Sequence, residues 1–155
     1  MSTALGDPRL DRLAQAYEAL RRDNLPALLD KLAKMAALGG WRVHRASGPE
    51  DVIEYIETLA RDSGTANVVR SNQDVFNQIP VDAALINLGL MVTTVLRDET
   101  TTRESLREEI RQSGIGITGA DYALAETGSV IVLPRKGLAR LISVVPPVHI
   151  ALVRA

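Results

Sequence analysis

Hydrophobic residues recur three or four positions apart over residues 8–22, which predicts an amphipathic helix at the start of the chain. Asn24 is a residue type that caps helices, and Pro26 is tolerated in a first helical turn, so a second helix is expected to begin here. This helix is expected to end at Gly39-Gly40, because glycine readily adopts the backbone conformation that stops a helix.

Strand-like and helix-like segments alternate along the rest of the chain. The pattern predicts strands at residues 41–45, 66–70, 90–96, 115–118, 129–133 and 148–153. It predicts helices that begin at a Ser47–Glu50 capping box, at Ser71, after Pro80, at a Thr101–Glu104 capping box and at Thr118, the last ending at Gly128. The last two strands are so apolar that we expect both in the interior of a sheet. Such alternation is typical of βαβ units, so the predicted fold class is α/β with a mostly parallel sheet flanked by helices.

The overall composition refines this picture. A chain of 155 residues suits a single domain over 1–155, in which an N-terminal helical segment at 1–38 precedes an α/β core at 41–155. Apolar residues make up 46% of the chain and aromatic residues only 3%, so the core must be built from aliphatic side chains. Scarce aromatic rings and a net charge of −1 argue against a nucleic-acid partner, which would need stacking rings or a basic surface.

Several kinds of site are excluded by the residue types that are missing. The chain has no cysteine, which excludes disulfides, thiolate-ligated iron–sulfur clusters and a thiol nucleophile. Its two histidines, His44 and His149, do not have zinc-site spacing, so no metal is expected. The sequence shows neither a signal-peptide pattern nor an apolar run of about 18 residues, so we expect a cytoplasmic protein without a membrane span.

Gly114, Gly116 and Gly119 form a literal GxGxxG pattern, which is the pattern of dinucleotide-binding loops. That loop needs a strand before the pattern and a helix that opens inside it, whereas here a helix precedes Gly114 and Gly116 falls within a predicted strand. The acidic residue expected about 20 positions later is also missing. We therefore interpret the pattern as a coincidence.

The predicted turn from strand to helix at Thr118-Gly119 is a candidate ligand site. Free backbone N–H groups at such a turn could bind a carboxylate or a phosphate. Asp121 would stand at the third helical position, where it fits a capping role. Gly119 would serve either the close approach of a ligand or the geometry of the turn itself.

Glu126 is the strongest candidate for chemistry. It is predicted at the end of this helix, just before Thr127-Gly128, where the helix dipole disfavours a carboxylate. A catalytic role would explain the placement, either as a base with a raised pKa or as a nucleophile. The structural alternative is a solvated glutamate paired with Arg135, Lys136 or Arg140.

His149 lies in an apolar strand directly after Pro146-Pro147 and a valine. A histidine in such a place is commonly a hydrogen-bonded core residue, but it also titrates near neutral pH and is a candidate general base. Arg140 could clamp a carboxylate with two hydrogen bonds, or could be a loop charge. Ser143 shows no order typical of a catalytic triad, and His44 is expected to be structural or exposed to solvent.

The residues from Gly116 onward resemble the signature of the LUD domain, which is found in lactate utilization proteins B and C. Three segments carry the resemblance in the right order and spacing: Gly-Ile-Thr-Gly-Ala-Asp, Ala-Glu-Thr-Gly and Pro-Pro-Val-His-Ile. The family motif falls on Gly116, Thr118, Gly119, Asp121, Glu126, Thr127, Gly128, Arg140, Pro146, Pro147 and His149. The lack of cysteine and the small size are similar to the C type.

The resemblance implies a Rossmann-like fold similar to the group of ribose-phosphate isomerase, glucosamine-phosphate deaminase and CoA-transferase. With the residue patterns above, it suggests Glu126 and His149 as catalytic residues. The suggested ligand-binding residues are Thr118, Gly119, Asp121, Thr127, Gly128 and Arg140. Two departures stand out, because Ser129 replaces a frequent threonine and the sequence stops at Ala155, where family members usually continue with a Gly-Pro-Ser-type turn and an acidic helix. We therefore expect either a truncated or compact member of the family, or a site that is completed from elsewhere.

Family members belong to a three-component system that oxidises L-lactate to pyruvate, and the other two components carry cysteine-ligated iron–sulfur centres. The resemblance thus implies a cluster-free subunit that works with iron–sulfur partner subunits and could bind a small 2-hydroxy or 2-oxo acid. No cofactor is expected on the chain itself. Two alternatives stay open, namely a stand-alone acyl- or CoA-transferase-like or isomerase-like enzyme that uses Glu126, and a binding module without turnover.

Overall fold

The computed structural model describes residues 8–96, 102–133 and 139–154. The helices are α1 (Pro8–Leu38), α2 (Pro49–Ser63), α3 (Val75–Gln78), α4 (Val81–Asn87), α5 (Arg103–Arg111) and α6 (Ala139–Ile142). The strands are β1 (Asn67–Arg70), β2 (Met91–Thr94), β3 (Ile115–Gly119), β4 (Tyr122–Leu124), β5 (Ser129–Ile131) and β6 (Val148–Leu152). Two compact units result, one built from the residues up to Arg42 with Leu124–Ser129, and the other from Val43–Ala123 with Val130–Arg154.

The larger unit is organised by a four-stranded sheet with the order β2-β1-β3-β6. All three strand pairs are parallel, with Val68 opposite Val92 and Ile115, and Gly116 opposite His149. This sheet confirms the predicted α/β class. The chain runs outward from β1 to β2 and then returns to β3, so the order changes direction between β1 and β3. In open α/β sheets, ligands bind at the carboxyl ends of the strands beside such a reversal.

Helices cover both faces of this sheet. One face packs the aliphatic side chains of β1, β3 and β6 against α2 and α4, with Ile56, Leu85 and Ile117 nearly or fully buried. The other face packs Val69 against residues of α5 and α6, among them Ile110 and Ile142. The core is aliphatic, as the composition predicted, and burial of such side chains is the main force that holds the layers together.

Two predictions for the first third of the chain are wrong. The two expected helices form one continuous helix, α1, with Pro26 in its interior. Proline removes one helical hydrogen bond, but the leucines and alanines on both sides favour helix strongly enough for the helix to continue through it. The strand expected at 41–45 is also absent, because residues 41–46 have no regular structure and pair with none of the strands that the structure describes. His44 instead stacks on Tyr55 of α2, with the ring centroids 4.2 Å apart.

The helix expected from Thr118 to Gly128 is replaced by a hairpin. Strands β4 and β5 form a separate two-stranded sheet, and the strand expected at 129–133 therefore does not enter the parallel sheet. The backbone N–H of Asp121 donates to the carbonyl of Ile131 (2.8 Å), where a helix would have used a residue nearby in sequence. Gly128 has a positive φ of 69°, which closes the turn. A glycine with positive φ also commonly ends a helix, so Gly128 is compatible with both the predicted helix end and the observed hairpin turn.

Smaller differences concern helix starts and the last strand. Helix α5 is capped by Thr102, whose hydroxyl accepts from the backbone N–H of Ser105, while the expected cap Thr101 lies outside the described residues. At the start of α2, the predicted capping box does not form, because the N-cap is Gly48 and no side chain caps the helix. Ser47 instead donates from both its backbone N–H and its hydroxyl to the carboxylate of Asp51. Strand β6 was expected in the sheet interior but stands last in the strand order.

Gly116 allows α6 to lie directly on the sheet. A Cβ atom added to this residue would lie 2.1 Å from the carbonyl oxygen of Ile142 and 3.0 Å from the ring of Pro146. The first neighbour is backbone and cannot rotate away, so only a hydrogen atom fits at this position.

The Gly116→Ala substitution should therefore lower the free energy of unfolding by about 2 kcal/mol or more, because α6 must move off the sheet. Urea denaturation followed by circular dichroism measures the change. Gly48→Ala is the matched control, since an added Cβ there would meet nothing within 4 Å and its φ of 179° suits any residue. Equal stability losses in the two variants would contradict this packing role.

Candidate functional site

A cluster of polar groups lies at the carboxyl ends of β1 and β3, where the strand order changes direction. Ser71 follows β1 directly, and its backbone N–H donates to the carbonyl of Ile117 (2.9 Å). Gly119 ends β3, and Asp121 follows two residues later. Gln73 lies in the connection after β1. Its side chain contacts the side chains of Ser71 and Asp121 and the backbone N–H of Gly119. This position is where a doubly wound sheet is expected to bind a ligand.

The side-chain amide of Gln73 holds this cluster together. Its oxygen accepts hydrogen bonds from the hydroxyl of Ser71 (2.6 Å) and the backbone N–H of Gly119 (2.7 Å). Its nitrogen approaches Oδ2 of Asp121 at 3.5 Å, and the same carboxylate oxygen accepts from the backbone N–H of Leu133 (2.7 Å). One amide thus links the end of β1, the end of β3 and the base of the hairpin.

Thr118 and His149 form a second polar pair on the neighbouring strands β3 and β6. The hydroxyl of Thr118 lies 2.9 Å from Nε2 of His149, and Thr118 itself is fully buried. Burial lowers the pKa of His149, because a charged imidazolium is poorly solvated there. The imidazole is consequently neutral at neutral pH and can accept a proton, as a general base must.

An ion pair supports the same edge of the sheet from the other face. Both Nε and Nη2 of Arg70 contact the carboxylate of Asp82, at 2.5 and 2.6 Å. Its guanidinium also lies 4.7 Å from the ring centre of Phe76, and Nη1 donates to the carbonyl of Ser71 (3.0 Å). Planar guanidinium pairs of this kind are geometrically stiff. These contacts of Arg70 therefore hold the backbone in place where it leads from β1 into Ser71 and Gln73.

Glu126, Thr127 and Gly128 lie in the other compact unit, at the tip of the hairpin. Glu126 is exposed and forms an ion pair with Lys31 of α1 at 3.1 Å. Its own backbone N–H and the Lys31 ammonium lower the pKa of Glu126. The prediction that this pKa is raised, as a catalytic base would require, is therefore wrong. A Cβ atom on Gly128 would lie 2.2 Å from the backbone nitrogen of Ala36, so this turn packs directly against α1.

The remaining candidates occupy ordinary surface positions. Arg140 is exposed on α6, and its backbone carbonyl accepts from the hydroxyl of Ser143 (2.9 Å). Nε2 of His44 contacts Asp51 at 2.7 Å, which agrees with the structural role expected for it. Arg135 and Lys136, which were considered as partners of Glu126, lie outside the described residues.

A shallow depression of about 260 Å³ lies at the opposite ends of the strands. It is lined by Ala60, Arg61, Gly64, Thr65, Leu88 and Leu90. Thr65 and Leu90 precede β1 and β2, so the depression is at the amino ends, where this class of sheet does not place its ligands. We therefore place the candidate site at the polar carboxyl edge.

Metal and dinucleotide chemistry find no support in the described part of the chain. Among residues 8–96, 102–133 and 139–154, no group of three or more histidine or acidic side chains could hold a metal ion. Gly116 lies within β3 and packs on α6, which confirms that the GxGxxG pattern is not a phosphate loop. Within the same ranges, no helix combines the length and the apolar character needed to cross a bilayer.

Two residues of the site, Ser71 and Gln73, were not predicted as functional. Ser71 was expected to cap a helix, but α3 begins later and its N-cap is Asp74. The available signal was their position, because they directly follow a predicted strand next to the reversal of strand order. Gly119 and Asp121 were predicted, although on a helix that does not form.

The parallel sheet, with helices on both faces and a change of direction in its strand order, places the larger unit in the class of doubly wound α/β domains. The sequence matches the LUD domain family over residues 29–155, and the chain belongs to this family. The resemblance seen in the signature segments is thereby confirmed.

Curated relatives of the chain carry names from lactate metabolism and electron transport. The chain is 28% identical to the "Uncharacterized electron transport protein YkgF" of Escherichia coli strain K12, over 91% of this chain and 39% of the relative. It is 33% identical to lactate utilization protein C of Halalkalibacterium halodurans, over 64% of this chain and 41% of the relative. It is 24% identical to lactate utilization protein B of Shouchella clausii, over 90% and 39%. The chain thus spans about two-fifths of the length of these relatives, and no solved structure matches it.

The partly buried position of His149 predicts a particular dependence of stability on pH. Its pKa in the folded protein is below the unfolded value of about 6.5, so the unfolded chain binds more protons in the window below that value. The free energy of unfolding should be fully retained above about pH 6.5 and should fall as the pH is lowered through this window.

The His149→Gln variant should lose less stability than the wild type when urea denaturation is compared between about pH 7.5 and about pH 5. His44→Gln removes the other histidine and serves as the comparison. If His149→Gln retains the full pH dependence of the wild type, the partly buried neutral imidazole is not its source.

The ion pair at the hairpin tip predicts a local change in titration. Replacing Lys31 with Met removes one of the two main causes that lower the pKa of Glu126, so this pKa should rise while staying below its ordinary value. Titration of the Glu126 carboxyl by NMR measures the shift. The nearby Lys34→Met variant should leave the pKa unchanged, and an equal response to both variants would contradict a specific pair.

Proposed function

We propose that this chain is a component of a cytoplasmic system that oxidises L-lactate to pyruvate. The names of its relatives support the choice of pathway, since they include lactate utilization proteins B and C and an electron transport protein. The ligand is a small 2-hydroxy or 2-oxo acid, which the chain binds at the carboxyl edge of its parallel sheet.

The observation that carries this proposal is the concentration of polar groups at that edge. Ser71, Gln73, Gly119 and Asp121 supply hydrogen-bond donors and acceptors, and Thr118 with His149 lies on the adjacent strands. A small polar acid needs such groups, because its carboxylate and its hydroxyl or keto oxygen must each find a partner when they leave water. The neutral imidazole of His149 supplies a proton acceptor near this edge.

Oxidation of lactate to pyruvate releases two electrons and two protons, so a redox partner must take the electrons. The 155 residues contain no cysteine and cannot ligate an iron–sulfur cluster through thiolates. In this proposal the chain binds no redox cofactor itself, and iron–sulfur partner subunits accept the electrons. The role of this chain is to bind and orient the acid.

Deletion of the gene from its source organism tests the proposal. The deletion strain should lose growth on L-lactate and keep growth on pyruvate, because only the oxidation step is missing. A plasmid copy of the wild-type gene should restore growth, and a His149→Gln copy should restore it less well than a His44→Gln copy. Growth of the clean deletion strain on L-lactate at the wild-type rate would rule out the proposed function.

A further inference from the structure

Strand β2 forms one edge of the parallel sheet, and its outer side has no neighbour there. The backbone N–H groups of Val95 and Met91 donate to carbonyls of β1 and of the residue just before it, at 2.9 and 2.8 Å. Backbone groups alternate between the two sides of a strand, so Val92 and Thr94 turn theirs away from β1. In the part of the chain that the structure describes, no strand accepts or donates hydrogen bonds on this outer side.

The composition of β2 is that of an interior strand. Residues 90–96 read Leu-Met-Val-Thr-Thr-Val-Leu, without a charge or a proline, and β2 pairs with β1 in unbroken register, without a bulge. Charges, prolines and bulges are the features by which proteins keep an exposed edge from pairing. The side chains of β2 are nevertheless half-buried or exposed, whereas Val68 and Val69 of the neighbouring β1 are each only 1% exposed. The edge thus has the properties of a strand that is paired on both sides.

The edge strand on the opposite side of the sheet has one of these protective features. Strand β6 begins directly after Pro146-Pro147. Proline has no N–H to donate, so a further strand cannot pair along the start of β6 without losing a hydrogen bond. Strand β2 is therefore the edge that is open to another strand.

The outward groups of β2 complement a second copy of themselves. In an antiparallel pair, two residues exchange both of their backbone hydrogen bonds only if each turns its backbone toward the partner strand. A twofold axis through Thr93 places Val92 of one copy opposite Thr94 of the other, and the reverse. Each of these pairs can exchange both hydrogen bonds, which satisfies the outward backbone groups of β2 in both copies. A shift by one residue would set an outward residue opposite an inward one and lose these bonds.

We propose that the chain forms a twofold dimer in which the β2 strands of two copies pair antiparallel through Val92 and Thr94. The two four-stranded sheets thereby join into one continuous sheet. The same surface of both copies meets in a twofold dimer, so the surface must be complementary to itself, as this edge is. The net charge of −1 per chain adds little repulsion between the copies.

The same register brings compatible side chains together. Thr93 lies opposite its counterpart at the axis, and cross-strand threonine pairs stabilise sheets. Met91, which is 65% exposed, lies opposite Val95 of the second copy. Leu96, which is 47% exposed, lies opposite Leu90 of the second copy. These apolar side chains lose contact with water in the dimer, which favours association.

Size-exclusion chromatography with light scattering tests the dimer. The paired edge is short and lies at the small end for specific interfaces, so the wild type is expected to be dimeric at about 100 µM. Thr93→Lys places two like charges opposite each other at the axis and should weaken the dimer by about tenfold or more, so that a monomer elutes. Val144→Lys is the matched control, because it replaces an apolar residue that is 73% exposed outside β2, and it should stay dimeric.

An exchange of charges tests the register and shows that the variants are folded. Thr93→Glu alone should also be monomeric, for the same reason as Thr93→Lys. An equimolar mixture of the two should form a mixed dimer, because opposite charges then face each other across the axis. Circular dichroism of each variant establishes that the monomers are folded. A mixture of folded variants that stays monomeric would overturn this register.

Amide hydrogen exchange followed by NMR locates the interface. The N–H groups of Val92 and Thr94 should exchange about tenfold or more slowly in the wild type than in Thr93→Lys, because only the dimer bonds them. The N–H groups of Met91 and Val95 are bonded within one chain and should be protected in both proteins. A wild-type monomer at about 100 µM would overturn the dimer, even if another protein pairs with this edge. A wild-type dimer in which Val92 and Thr94 exchange as fast as in Thr93→Lys would show that the copies associate elsewhere, which overturns the pairing through β2.

Discussion

The parallel pairing of β3 with β1 on one side and β6 on the other is the constraint on which the larger unit depends. All five residues of β3 are buried, and its side chains alternate between the two helical layers. Ile115 and Ile117 fill the layer with α2 and α4, while Gly116 leaves room for α6 on the other face. The same pairing brings Thr118 beside His149 and Gly119 within reach of Gln73. Core and candidate site are thus two consequences of one strand.

The sequence predicted the parallel sheet well because its strands are short apolar runs between capped helices. Strands β1, β2, β3 and β6 and helices α2, α4 and α5 all lie close to where the pattern placed them. Their signals are local and agree with their surroundings, since apolar runs enriched in β-branched residues become buried strands. The α/β class follows from these elements alone.

The hairpin could not be predicted for a physical reason. Ala120, Ala123 and Ala125 favour helix, and Gly128 would end a helix as readily as it closes a turn. The outcome depends on the long-range bond from the N–H of Asp121 to the carbonyl of Ile131 and on the contact of Gly128 with the backbone of α1. Neither contact can be predicted from the pattern of hydrophobic and polar residues near these positions. The strand-like alternation at 41–45 was misleading in the opposite way, because a strand needs a neighbour that these exposed residues lack within the described chain.

The candidate site shows the same division. Thr118, Gly119, Asp121 and His149 were recognisable as chemical residue types, but their partners Ser71 and Gln73 come from a segment more than forty positions earlier. Only the strand order brings these segments together. Glu126 stood out in the sequence because a carboxylate is unfavourable at the C-terminal end of a helix. That helix does not form, so the position of Glu126 no longer calls for a catalytic explanation.

Oδ2 of Asp121 serves two partners, the backbone N–H of Leu133 and the amide of Gln73. The base of the hairpin and the connection after β1 therefore share one acceptor atom, and the order of one is thermodynamically linked to the order of the other. Such linkage is reciprocal, since the free energy by which forming the first contact changes the second equals the free energy by which forming the second changes the first.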